Sequence, residues 1–220
     1  MKPAIALLAS WLIGSIPWAY LAGRVLKGVD LRKYGSGNLG TTNVLRLLGA
    51  PWAMVVYALD AAKGFVPVFF FPALFDFQPR GGWAIACGLL AILGHVRPVF
   101  LLLKGGGKGV ATGSGVFFAL TPIATFAALV GFLLLLATTR RMSVASLTGA
   151  TIVPIGVALT RGWRSEVFVV SLGVAIFVYW THRANIGRLR RGEEPKLTFR
   201  KPGKGQESDA MDGLSPQGRA

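Results

Sequence analysis

Charge is scarce in this chain, and negative charge scarcer still. Nine Asp and Glu stand against 24 Lys and Arg, and charged residues make up 15% of the 220 positions. A soluble domain usually carries about a quarter, so the composition argues against a water-soluble globule. There is one cysteine, Cys87, inside the apolar stretch GGWAIACGLLAI. It has no internal disulfide partner and reads as a small apolar packing residue. The two histidines, His95 and His182, show no Cys/His spacing suited to a metal. No repeat of solenoid type is present. From these absences we expect neither a metal nor another cofactor.

What the chain has in abundance is long apolar runs. Hydrophobic residues make up 53% and the mean hydropathy is +0.55. Runs lie near Ala4–Leu26, Pro51–Phe75, Gly81–Leu103, Val110–Thr139, Ser143–Thr160 and Glu166–His182. The spacing predicts an all-α integral membrane protein. The first run is too long for a signal peptide and is interrupted by Pro17, so it reads as a span. The fourth, thirty residues long, would measure about 45 Å as one helix, against a hydrocarbon core of about 30 Å. Thr121-Pro122 offers a break, because proline belongs in a helix's first turn. The sequence then predicts seven helices, with Val110–Leu120 short enough to need shielding by protein or a thinner bilayer.

The net charge of +15 would suggest nucleic acid in a soluble protein, but here the bases flank the apolar runs. With seven spans and the N-terminus outside, seventeen Lys and Arg fall on cytoplasmic segments and four on outer ones. That asymmetry follows the positive-inside bias, so we expect a multi-pass membrane protein with its basic segments on the cytoplasmic side and no nucleic-acid partner. The membrane domain is expected over 1–192. The polar stretch 193–220 is expected to be a disordered cytoplasmic tail.

The stretch YGSGNLGTTNVLR places Gly35, Gly37 and Gly40 at G-x-G-x-x-G spacing. A dinucleotide fingerprint must follow a strand and open a helix. Here it follows an apolar helix, and Asp60 sits inside the apolar segment AMVVYALDAAKG rather than at a strand end. The nucleotide reading fails, but its local physics survives. Glycines let backbone amides approach an anion. Ser36, Asn38, Thr41, Thr42 and Asn43 add hydrogen-bonding groups, and Arg46 adds a planar fork for phosphate.

A second cluster is GHVRPVFLLLKGGGKGVAT. Its LKGGGKG core misses the Walker A spacing, with Leu102 and Gly109 where Gly and Ser/Thr are required. Lys104 and Lys108 nonetheless bracket Gly105, Gly106 and Gly107 ahead of an apolar helix, a combination that favours an anion. A third cluster, RRMSVAS, carries Ser143. A fourth, THRANIGRLRRGEE, places His182 and Asn185 on one helical face if the last helix continues. His95 reads as orienting the second cluster. Asp60 and Lys63, three apart in an apolar helix, read as neutralising each other.

Together these stretches resemble the bacterial acyl-phosphate:glycerol-3-phosphate acyltransferase family. GSGNLGTTNVLR is similar to its S-G-N-x-G-x-T-N-x-x-R loop, and GHVRPVFLLLKGGGKGVAT to its G-H-x-x-P-V-F…K-G-G-K-G-V-A-T stretch. RMSVASL is similar to its serine-bearing loop, LDAAKG to its D-x-x-K-G helix, and HRANIGRLRRGEE to its closing segment. Two positions depart: three glycines separate Lys104 from Lys108 where two are expected, and Leu39 stands where proline is common.

The resemblance implies transfer of a fatty acyl group from acyl-phosphate to the 1-hydroxyl of glycerol 3-phosphate. The products would be lysophosphatidic acid and inorganic phosphate. It implies Ser36, Gly37, Asn38, Thr41, Asn43, Arg46, Lys104, Gly105–Gly107 and Lys108 at phosphate, with Ser143, His182 and Asn185 orienting glycerol 3-phosphate. Either His182 or a substrate phosphate oxygen is left as the base, and the roles of Lys104 and Lys108 are left open. Membrane lipid surrounds such a protein, and the enzyme that makes acyl-phosphate is a candidate partner. Two other classes compete: a transporter or channel for phosphorylated anions, whose broken helices also carry positive Gly-rich ends, and a structural anchor binding anionic lipid.

Overall fold

The computed structural model describes residues 1–78 and 80–197. Among these residues there is no strand; ten α-helices and two short 3₁₀ turns account for the regular structure. The chain enters through α1 (Lys2–Gly14) and α2 (Trp18–Lys27), parted at Pro17. The short α3 (Thr41–Leu48) leads directly into α4 (Ala50–Leu74). Then come α5 (Arg80–Val96), α6 (Val110–Leu120), α7 (Pro122–Thr139), α8 (Met142–Arg161), α9 (Glu166–Thr181) and α10 (Arg183–Arg190).

The apolar runs become these helices with two differences. Gly81–Leu103 does not stay helical to its end. It passes through a 3₁₀ turn at Val99–Leu101 and leaves Leu102 and Leu103 exposed with positive φ. The last helix does not continue straight past His182; α10 departs from α9 at 60°. Among the described residues five segments are long and apolar enough to cross a bilayer: α1 with α2, α4, α5, α7 and α8; the bent α9–α10 pair makes a sixth when counted as one span.

The long fourth run breaks at Thr121-Pro122, as its length and proline predict. The resulting α6 is only 11 residues, about 16 Å, and is wrapped by α4, α5, α7, α8 and α9. It lies against α4 at backbone distance. A methyl on Gly115 would stand 1.9 Å from the Ala61 carbonyl oxygen, and one on Gly64 2.2 Å from that of Thr112. Small residues at a crossing serve here as they do wherever helices associate in lipid. At the break, the Leu120 carbonyl accepts from the Arg161 guanidinium, meeting the need for a partner in apolar surroundings. The principal core, with Val68, Ile92, Val116, Val157 and Val174, runs through α4 to α9. Leu8, Phe69, Leu134 and Val169 are exposed, as outward positions facing lipid should be.

Candidate functional site

The first basic loop is built on its own backbone. Asp30 accepts from the Arg32 amide at 3.0 Å and pairs with its guanidinium at 2.7 Å. This hydrogen bond to Arg32 holds the Asp30 carboxyl below its ordinary range. Above this foot, Asn43 is nearly fully buried. Its Nδ2 donates to the Leu31 and Tyr34 carbonyls at 3.0 and 3.1 Å, and its Oδ1 accepts from the Ser36 amide at 3.3 Å. Gly35 has φ +58, and a methyl there would meet Asn43 Oδ1 at 2.3 Å, so this turn requires glycine. Asn43 was expected to face phosphate; the amide it would have offered is spent on shaping the loop. That leaves Ser36 and Arg46 exposed, with Gly37, Asn38 and Thr41 partly so. The Thr41 hydroxyl oxygen itself is buried and has no hydrogen-bonding partner.

The second loop meets the first directly: Asn38 Nδ2 donates to the Gly106 carbonyl at 3.2 Å. Gly107 lies on His95, whose carbonyl accepts from the Gly107 amide at 3.2 Å. The two lysines then diverge. Lys104 is exposed at the loop's start. Lys108 is half-buried, and its Nζ donates to Asn185 Oδ1. Burial pulls the Lys108 ammonium down to about 8, with the nearby Arg188 and Arg46 charges pulling the same way and Glu194 opposing them. Arg46, exposed on α3 just after the first loop, is thus close enough to Lys108 for their charges to interact.

The remaining segments close around Lys108. Thr181 Oγ1 donates to the Lys108 carbonyl at 3.2 Å. Asn185 Nδ2 donates to Glu194 Oε1, and Arg188 Nε to Glu194 Oε2, both at 2.7 Å. Burial favours a neutral Glu194, but the hydrogen bonds from Asn185 and Arg188 and the Arg188 charge outweigh it and keep the carboxyl below its ordinary range. Ser143 Oγ is buried and is not in hydrogen-bonding contact with any atom. His182 is 3% exposed, and its Nδ1 lies 2.8 Å from the Val178 carbonyl. A carbonyl can only accept, so Nδ1 carries the proton and Nε2 keeps its lone pair.

Beside Lys108 the surroundings turn apolar. A groove of about 90 Å³ between α6, α7, α8 and α9 is lined by Gly109, Val110, Phe117, Phe132, Gly149 and Val178 among others. The Thr125 and Ser171 hydroxyls on its wall turn onto their own helices, bonding the Thr121 and Phe168 carbonyls at 2.9 and 2.8 Å. Phosphate-compatible cations and an apolar slot therefore share one boundary. Among the described residues, no three His, Cys, Asp or Glu side chains gather as a metal site would require.

A family model described as glycerol-3-phosphate acyltransferase matches residues 4–192. This chain belongs to that family. A glycerol-3-phosphate acyltransferase of Anaeromyxobacter dehalogenans is 44% identical over 195 residues, covering 88% of this chain and 96% of the relative. One of Synechococcus elongatus is 44% identical over 200 residues, covering 88% and 93%. A crystal structure of PlsY (YgiH), an integral membrane glycerol 3-phosphate acyltransferase in its glycerol 3-phosphate form, superposes with a TM-score of 0.82 at 34% identity, covering 90% of this chain and 96% of that one. The lysophosphatidic acid form of PlsY gives 0.80 at 33%.

In this family member, residues from all four basic clusters converge at one end of the helices. Sequence reasoning missed three residues that the geometry brings in: Arg188, Thr181 and Glu194. Glu194 stood in the quoted GEE segment, but the tail was expected to begin at 193. Glu194 and Leu197 are instead buried, and the Leu197 amide donates to the Arg140 carbonyl at 2.7 Å. The stretch 198–220, expected to be disordered, lies outside the described residues.

Proposed function

We propose that this protein transfers a fatty acyl group from acyl-phosphate to the 1-hydroxyl of glycerol 3-phosphate. The observation that carries this reading is that Lys108, bonded to Asn185, directly precedes Gly109 and Val110, which line the apolar groove. Both substrates bear phosphate, and the donor also bears a long chain. Arg46, Lys104, Lys108 and the loops at 36–41 and 105–107 supply positive charge and amides for the phosphates, and the groove takes the chain. Ser143 and Asn185 orient glycerol 3-phosphate.

Acyl-phosphate is a mixed anhydride and needs no covalent enzyme intermediate. The glycerol oxygen bonds to the acyl carbon, the carbon–oxygen bond to phosphate breaks, and phosphate leaves with the electron pair. The hydroxyl proton passes to His182 Nε2 or to a phosphate oxygen. Positioning and electrostatic stabilisation supply the rate. We further propose seven spans in a bacterial inner membrane, with the N-terminus outside and the site facing the cytoplasm, within reach of the enzyme that makes acyl-phosphate. A transporter needs groups along a path through the bilayer, whereas here they converge at one end.

The test is purified protein with acyl-phosphate and labelled glycerol 3-phosphate. Stoichiometric lysophosphatidic acid and inorganic phosphate are expected. Uptake of glycerol 3-phosphate into proteoliposomes without any acylated product would refute the reading.

A further inference from the structure

Beneath the second phosphate loop lies a charged cluster that the proposed chemistry does not use. Asp60 and Lys63 on α4 and His95 on α5 are each no more than 6% exposed. Lys63 Nζ stands 2.7 Å from Asp60 Oδ1, an ion pair by distance though not aligned as a hydrogen bond. His95 Nδ1 lies 3.6 Å from the same oxygen. Lys63 Nζ also donates at 2.9 Å to the Ile16 carbonyl, at the break between α1 and α2. Charges this deep are costly and persist where they are paired or functional. Mutual neutralisation accounts for Asp60 and Lys63. It does not account for His95, or for what lies on the other side of its ring.

That other side is the loop. A methyl added to Gly107 would stand 2.0 Å from His95 Nε2 and 2.5 Å from Cε1. One added to Gly106 would stand 2.4 Å from the His95 carbonyl oxygen and 2.3 Å from that of Val96. Gly107 is clipped to His95 through its amide, and Asn38 of the first loop holds the Gly106 carbonyl. The loop therefore rests on the imidazole, and the imidazole's far edge faces the Asp60–Lys63 pair. Through the Ile16 carbonyl, Lys63 of that pair also holds the bend from which α2 runs into the first loop.

We propose that Asp60, Lys63 and His95 are positioning residues for acyl transfer. They hold the His95 ring as the floor of Gly106–Gly107 and so set where Lys104 and Lys108 present charge to substrate phosphate. This inference rests on reading that loop as a phosphate grip.

The test compares wild type, Gly107→Ala, His95→Ala and the double variant as full-length, membrane-inserted protein at equal folded amounts. Two measurements are made on each: the kinetics of lysophosphatidic acid formation, and the rise in Tm on adding glycerol 3-phosphate. In the wild-type background Gly107→Ala drives a methyl into the ring and should lower kcat/KM by about 100-fold. In the His95→Ala background the space is free, and the same change should cost less than about threefold further. An equal loss in both backgrounds, or no loss in either, would overturn the proposal. Should the double variant not fold, Asp60→Asn decides. A KM for glycerol 3-phosphate raised about tenfold or more, with kcat nearly kept, supports positioning. An unchanged KM with less folded protein leaves only charge neutralisation and overturns it. If wild type makes no lysophosphatidic acid, the acyl-transfer reading fails, while the Tm response across the same variants still reports whether the loop follows His95.

Discussion

Asn185 Nδ2 donates to Glu194 Oε1 at 2.7 Å, and this bond decides which end of the amide faces Lys108. With the nitrogen committed to the carboxylate, the oxygen is left to accept from the Lys108 ammonium. A negative charge thus reaches Lys108 through a neutral group, and the lysine is oriented without being neutralised by a direct ion pair.

Activity should fall on the alkaline side because of Lys108. Its ammonium is held at about 8, so it is charged below that pH and loses its charge above it. We expect kcat/KM for glycerol 3-phosphate, which reports the free enzyme, to decline above about pH 8. In Lys108→Arg the decline should vanish, because a guanidinium stays charged, although the level of activity drops.

Glu194→Gln should move that decline to lower pH. The Glu194 charge opposes the effect of burial on Lys108, and glutamine keeps an oxygen for Asn185 while removing the charge. A pH profile of kcat/KM checks this. An unmoved alkaline limb would mean that Glu194 does not act on Lys108 electrostatically.

Arg46→Lys should reduce activity by roughly one to two orders of magnitude. The change keeps the charge and loses the paired hydrogen bonds a fork can make, each charge-assisted bond contributing about 1.5–3 kcal/mol. Near wild-type turnover with unchanged substrate dependence would assign Arg46 to membrane anchoring alone.

Gly149→Leu should shift substrate preference toward shorter acyl chains. Gly149 lines the groove and the nearest atom to an added methyl is 3.6 Å away, so the leucine would occupy space meant for chain. Each methylene kept from apolar surroundings forfeits about 0.8 kcal/mol. Competition between long and short acyl-phosphates measures the shift. An unchanged ratio would place the chain elsewhere.

Gly115→Ala should destabilise the protein itself, by about 1–3 kcal/mol or more, because the new methyl would stand 1.9 Å from the Ala61 carbonyl oxygen. Thermal unfolding in detergent checks it, and a wild-type Tm would contradict the close α4–α6 crossing.

Where composition and local chemistry decide, the sequence was readable. The runs became helices because lipid leaves a backbone few other choices. The break at Pro122 was marked by a run too long for one span together with a residue suited to a helix's first turn; proline alone is no such mark, since Pro67 and Pro72 lie inside α4 and Pro154 inside α8. The four basic clusters were visible as charge between apolar runs. What could not be read was partnership across the chain. Asn43 looks the same in sequence whether it faces a phosphate or its own loop; only the nearby Leu31 and Tyr34 carbonyls decide. Glu194 sits among charged residues that read as solvated, and its burial depends on Asn185 and Arg188 one bend earlier. The 60° bend at His182 leaves no proline or glycine mark. Spacing could not tell Lys104 from Lys108 either; the structure separates them by leaving Lys104 exposed and bonding Lys108 to Asn185.

The tie between the Leu197 amide and the Arg140 carbonyl also bears on how the protein is made. Chains emerge from the ribosome N-terminal end first. Arg46 and Lys108 are therefore synthesised well before Asn185, Glu194 and Leu197 arrive to complete their surroundings. Helices α1 to α8 can insert and associate while the cation cluster has neither its orienting amide nor its counter-charge. The surroundings of Lys108 are thus completed only by the last part of the described chain to be made.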